Sequence, residues 1–176
     1  MPPPRRFRLH ASAEVGRPLL PKIRPLLKRA HAILADQGKT KVIELSIALV
    51  GDATMSRLHE RDLKIAGPTD VLTYELDHDA GGTCVAGEVV VCVPEARRQA
   101  TSRGTDVASE VLLYALHGLL HLSGFDDRTA RAYRTMHRTE DAILSQLGVG
   151  PVFAPPPPAA RPPKAKRRST LRPKAR

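Results

Sequence analysis

Apolar residues within 18–37 recur at helical spacing. Leu19, Ile23, Leu26, Leu27, Ala30, Ile33 and Leu34 share one stripe, which predicts an amphipathic helix ended by Gly38. Pro21 and Pro25 leave the start of that helix open, because proline suits only a first turn. Ahead of it, Phe7 and Leu9 suggest a short first strand. Within 42–50 the pattern changes to strict alternation around Ile43, Leu45, Ile47 and Leu49, a half-buried strand. Asp52 or Thr54 is expected to cap a short helix running to Leu63. Residues 71–74 and 88–93 read as two further strands with a polar loop between them, and helices follow over roughly 105–123 and 128–147. The fold class predicted is α/β, or α+β: a small mixed β-sheet packed with about four to five helices.

Among these helices one stands out. Residues 107–122 read V-A-S-E-V-L-L-Y-A-L-H-G-L-L-H-L, apolar nearly all the way round, which places this helix at the centre of the core. Polar side chains there cost free energy unless they find partners. Glu110, Tyr114, His117 and His121 fall at i, i+4, i+7 and i+11, on one stripe. His117 and His121 can therefore present ring nitrogens to one ion. Gly124 breaks the helix, and Asp126 and Asp127 lie on the returning chain. Three protein ligands, His117, His121 and Asp127, would make an open catalytic zinc site, with one Zn2+ per chain; a fourth would make a closed structural one. The competing reading is two core histidines that only hydrogen-bond to neighbours.

Composition narrows the setting. The chain has 176 residues, enough for one domain with a little to spare. It contains nothing near the roughly 20 consecutive apolar residues needed to span a bilayer. The N-terminal Met-Pro-Pro-Pro-Arg-Arg has no apolar segment behind it, so no secretory signal is expected and the cytoplasm is the predicted compartment. Two cysteines, Cys84 and Cys92, are too few for a disulfide framework and fit no zinc spacing. The formal net charge is +10, but eight of the 28 basic residues and none of the 18 acidic ones lie in 151–176. Residues 1–150 thus carry only +2 and form the predicted domain. Residues 151–176, rich in Pro, Ala, Lys and Arg, are expected to be a disordered basic tail that attracts polyanions.

The sequence 117–127, His-Gly-Leu-Leu-His-Leu-Ser-Gly-Phe-Asp-Asp, resembles the signature of the YbeY family, His-Gly-x-Leu-His-Leu-x-Gly-Tyr/Phe-Asp-His. Pro-Thr-Asp-Val-Leu-Thr-Tyr at 68–74 resembles that family's Pro-Thr-Asp-Val-Leu-Ser-Phe, and Gly87-Glu88-Val89 its Gly-Asp-Ile. Met136 and Glu140 fit its downstream helix. The resemblance implies a zinc-dependent, single-strand-specific endoribonuclease of rRNA maturation and ribosome quality control, with RNA and the small ribosomal subunit as partners. It departs from the family in two places. Asp127 stands where the family has a third His ligand, and Asp62-Leu63 where it has Tyr-Arg. Arg61 or Lys64 is the candidate replacement for that arginine's presumed phosphate contact.

The remaining polar residues have weaker assignments. Glu110 is either a partner that fixes a ligand histidine or a carboxylate at the helix start. Asp70 orients a ligand or stabilises a turn, and His78 and His137 are expected at the surface. Two other functions stay open: a non-catalytic ribosome-assembly protein stabilised by zinc, and a zinc peptidase. The second lacks the general-base Glu that should follow the first His, where this chain has Gly118.

Overall fold

The computed structural model describes residues 6–152. The chain runs β1 (Arg8–Ala13), a 3-10 turn (Arg17–Leu19), α1 (Leu20–Asp36), β2 (Glu44–Val50), α2 (Asp52–Leu63), β3 (Val71–His78), β4 (Cys84–Cys92), α3 (Val93–Arg103), α4 (Val107–Leu122) and α5 (Ala130–Gln146). The four strands form one mixed sheet in the order β1-β2-β4-β3. The first three are parallel, and β3 lies antiparallel to β4 at an edge. This is the predicted fold class, and no described helix is long and apolar enough to cross a membrane.

Alternation in the strands assigns the two faces of the sheet. Leu45, Ile47, Leu49, Val89 and Val91 point into the main core with α1, α3, α4 and α5. Their neighbours Val50, Val90 and Cys92 point the other way and meet Met55 of α2. α4 is the central helix: eleven of its sixteen residues are buried, as its sequence requires. Asp106 caps its start by accepting from the N–H groups of Ala108 and Ser109. Two glycines let it lie close to the sheet. A Cβ on Gly118 would come within 2.6 Å of the Val89 side chain, and one on Gly87 within 2.5 Å of Leu122.

Several element boundaries differ from expectation. Pro25 lies inside α1, which begins before it and is held by the buried stripe Ile23, Leu27, Ala30, His31 and Leu34. Neither Asp52 nor Thr54 caps α2; the cap position is Gly51, and Asp52 pairs with Arg98 instead. β3 and β4 are longer than their apolar cores, because the exposed Glu75 and His78 still pair with β4. α3 was not anticipated at all, since it buries only Val93, Ala96 and Ala100. At the C-terminal end, the Val152 N–H donates to Asp141, so the chain remains packed two residues past Gly150. The expected disorder of 153–176 lies outside the described residues.

Candidate metal centre

The helical repeat sets His117 and His121 side by side, with Nε2 atoms 3.0 Å apart and rings nearly perpendicular at 83°. After α4, Gly124 takes φ +89°, and the chain turns back over the helix end. The Phe125 N–H donates to the Leu120 carbonyl across that turn. Asp126 then accepts from the N–H groups of Asp127 and Arg128, fixing the return. That turn brings Asp127 Oδ2 to 3.8 Å from His117 Nε2 and 3.9 Å from His121 Nε2. The three expected ligands converge. Among the described residues they form the one group of three or more His, Cys, Asp or Glu side chains placed to hold a metal.

The protons on the two rings can be assigned from their partners. His117 Nδ1 lies 2.7 Å from Oε1 of the fully buried Glu140, and a carboxylate can only accept, so Nδ1 carries the hydrogen. His121 Nδ1 donates to the Phe125 carbonyl at 3.1 Å. With both Nδ1 atoms protonated, the rings in their neutral form would face each other with two Nε2 lone pairs and no hydrogen between them. A cation there relieves the repulsion. Ligands on a tetrahedral zinc ion sit roughly 3.3 Å apart for bonds of about 2.0–2.1 Å. The observed triangle is close to that, so a zinc-sized ion fits the donor set.

Charge at His117 reflects competing influences. Burial lowers its pKa, but the Glu140 bond and the negative charges of Glu140, Asp127 and Asp70 outweigh it, leaving the pKa above the ordinary value. Glu140 takes the supporting role that was one of the two readings of Glu110. It also accepts from His137 Nδ1, which is largely buried rather than at the surface. Glu110 is only 1% exposed but touches neither ligand; it is bound by Arg103 and Thr105. Asp70 stabilises a turn by accepting through Oδ1 from Thr69 and the Val71 N–H, while also lining the cleft that opens beside His117. His78 is exposed and pairs with Glu75, as expected of a surface residue.

Arg61 and Lys64 do not line that cleft. Arg61 donates twice to Asp62, which also accepts from the Tyr74 hydroxyl, and Lys64 donates to the Arg61 carbonyl. Arg61 and then Tyr74 hold the Asp62 carboxyl at about 2. Leu63 is 55% exposed. The Lys or Arg that does line the cleft is Arg103, which the sequence did not single out. Cys84 and Cys92 are buried free thiols, and burial pushes Cys92 to about 11.

A profile of the family described as Endoribonuclease YbeY matches residues 19–148. The chain is 34% identical over 148 residues to "Endoribonuclease YbeY" of Moorella thermoacetica, covering 79% of this chain and 93% of that protein. It is also 34% identical over 131 residues to the protein of the same name from Acidothermus cellulolyticus, covering 68% and 80% respectively. Among solved structures, TM1509 from Thermotoga maritima shares the fold. Its TM-score is 0.53 at 21% identity, over 88% of this chain and 99% of that one.

Proposed function

This chain belongs to the YbeY endoribonuclease family, and from that premise we propose that it is a zinc-dependent endoribonuclease cutting single-stranded RNA in rRNA maturation and ribosome quality control. Its partners on this reading are rRNA and the small ribosomal subunit, and its compartment is the cytoplasm. The observation that carries the reading is the pair of Nε2 atoms 3.0 Å apart with a carboxylate oxygen beside them.

His117, His121 and Asp127 would hold the ion. Bound there, a divalent metal supplies Lewis acidity to a phosphoryl oxygen and to water. The chain's own groups do the rest. Glu140 and the Phe125 carbonyl hold both rings through Nδ1, so that each in its neutral form presents the Nε2 lone pair without reorienting. Asp127 contributes one negative charge where the family's histidine contributes none. The cleft beside His117 gives the substrate access from one side.

The group of three leaves one tetrahedral position without a protein ligand among the described residues. That favours the enzyme over a zinc-stabilised assembly protein. A peptidase gains no support, because position 118 has no side chain and no room for one beneath Val89 and Thr73. The test is metal analysis of the purified protein, paired with cleavage of single-stranded and duplex RNA with and without chelator. Stoichiometric zinc and chelator-sensitive cleavage of the single strand are expected. Intact RNA at full zinc occupancy would favour the assembly role.

A further inference from the structure

A cleft of about 460 Å3 opens beside the metal centre, and its walls include Asp70, Glu95, Gln99, Tyr114, His117 and Tyr133. Its size suits a small planar group. Tyr133 is 49% exposed, one of four large hydrophobic side chains so open to solvent among the described residues. Its ring stands edge-on to His137, with centroids 4.0 Å apart at 77°, and His137 is held by the same Glu140 that orients His117. An aromatic ring backed by His137 therefore borders a cavity that His117 also lines.

The charges decide what can enter. Arg103 is the sole Lys or Arg in the lining, and its Nη1 is committed to the buried Glu110. Against it stand two carboxylates, Asp70 and Glu95. With Arg103 paired to Glu110 and Glu95 to Arg98, the lining offers a phosphate no unpaired Lys or Arg and sets the Asp70 carboxylate beside it, whereas a neutral ring carrying N–H donors meets an acceptor. Glu95 is already occupied by Arg98 and Gln99. Asp70 receives both its hydrogen bonds on Oδ1, and its Oδ2 accepts none among the described residues.

We propose that this cleft is the subsite for one unpaired nucleobase next to the bond to be cut, with Tyr133 as its stacking platform and Asp70 as acceptor for an exocyclic amino group. The proposal rests on RNA being the substrate. Bases splayed out of single strands stack on aromatic side chains in this way, and paired bases cannot enter. Carboxylates accept from amino groups of bases, so cytosine is favoured over uracil.

The experiment places 2-aminopurine, whose fluorescence is quenched by stacking, at successive positions of a short single-stranded RNA. The RNA is mixed with the full-length zinc-loaded protein and read by stopped flow before cleavage. Quenching is expected at one position with the wild type and with Tyr133→Phe, and not with Tyr133→Ala. Tyr133→Ala should also weaken binding on the order of tenfold. Cytosine at that position should bind several-fold tighter than uracil. Equal quenching by wild type and Tyr133→Ala at every position overturns the proposal, as does equal binding of cytosine and uracil. RNA left uncut while Tyr133-dependent quenching persists overturns the nuclease reading and leaves base stacking in the cleft standing; cleavage without such quenching overturns the subsite and leaves the nuclease reading standing.

Discussion

Glu140 ties two imidazoles on different helices to one buried carboxylate, and at the scale of single residues it sets what the metal centre needs. Glu140→Gln keeps the size but offers one oxygen where two are used. It should lower metal affinity by roughly 10–100-fold, measured by competition with a chelating dye. Asp127→Ala removes a proposed ligand and should lose most of the metal on elemental analysis; full occupancy would remove Asp127 from the site. Asp127→His restores the ligand type of the family and raises the charge of the centre by one. Zinc should be retained, with the rising limb of the cleavage pH profile moved to lower pH. The convergence of His117, His121 and Asp127 was legible because helical spacing and a glycine break are local. Their support was not. Seven residues of helix rise about 10 Å, so Glu110 shares a stripe with His117 yet cannot reach it, while Glu140 arrives from another helix. Arg103 was hidden for the same reason.

At the scale of elements, α1 is joined to the start of β2 through His31, which stacks on Phe7 and shares a hydrogen bond with the Val42 carbonyl. Burial depresses the His31 pKa more than the Val42 bond raises it. The folded protein therefore takes up this proton at lower pH than the unfolded chain does. The stability contributed is present above the unfolded value of 6.5 and lost as pH falls below it. Urea melts should show stability falling below pH 6.5 by at most ~1.4 kcal/mol per pH unit from this group. His31→Gln should flatten that part of the curve. Gly118 tests the packing of α4. Alanine would gain up to ~1 kcal/mol of helix propensity, but its Cβ would overlap both methyls of the buried Val89. Overpacking costs about 1–3 kcal/mol, so Gly118→Ala should destabilise; a raised melting temperature would show that Val89 yields. Strong periodicity made α1, α4 and β2 readable in the sequence. α3 was missed because small alanines mark its buried side, and the outer half of β3 because it is held by backbone pairing rather than by burial.

At the scale of the whole molecule, the charge is divided unevenly. Eight Lys and Arg residues follow Val152, none of them among the proposed ligands. Deleting residues 153–176 should leave zinc content and the melting curve unchanged. It should weaken binding of single-stranded RNA at low salt, with the difference shrinking as salt rises. Equal affinities across a salt series would leave the segment no part in RNA attraction. The small mixed sheet packed with helices around one central helix was legible from interleaved periodicities. The strand order was not, because the β2–β4 pairing joins segments some 40 residues apart and the intervening β3 is placed outside it.

The glycine contacts beneath α4 also bear on how such a site can change over generations. The two histidines ride on a helix whose height above the sheet is fixed by Gly118 and Gly87, so drift at either histidine has nowhere to go. Asp127 rides instead on a short return loop hinged at Gly124, where a new side chain can be tried without disturbing the pair. Variation in ligand chemistry should therefore accumulate on the loop. A survey of natural variants at position 127, purified and assayed for metal, would trace how far one anchored pair can be retuned by its third partner.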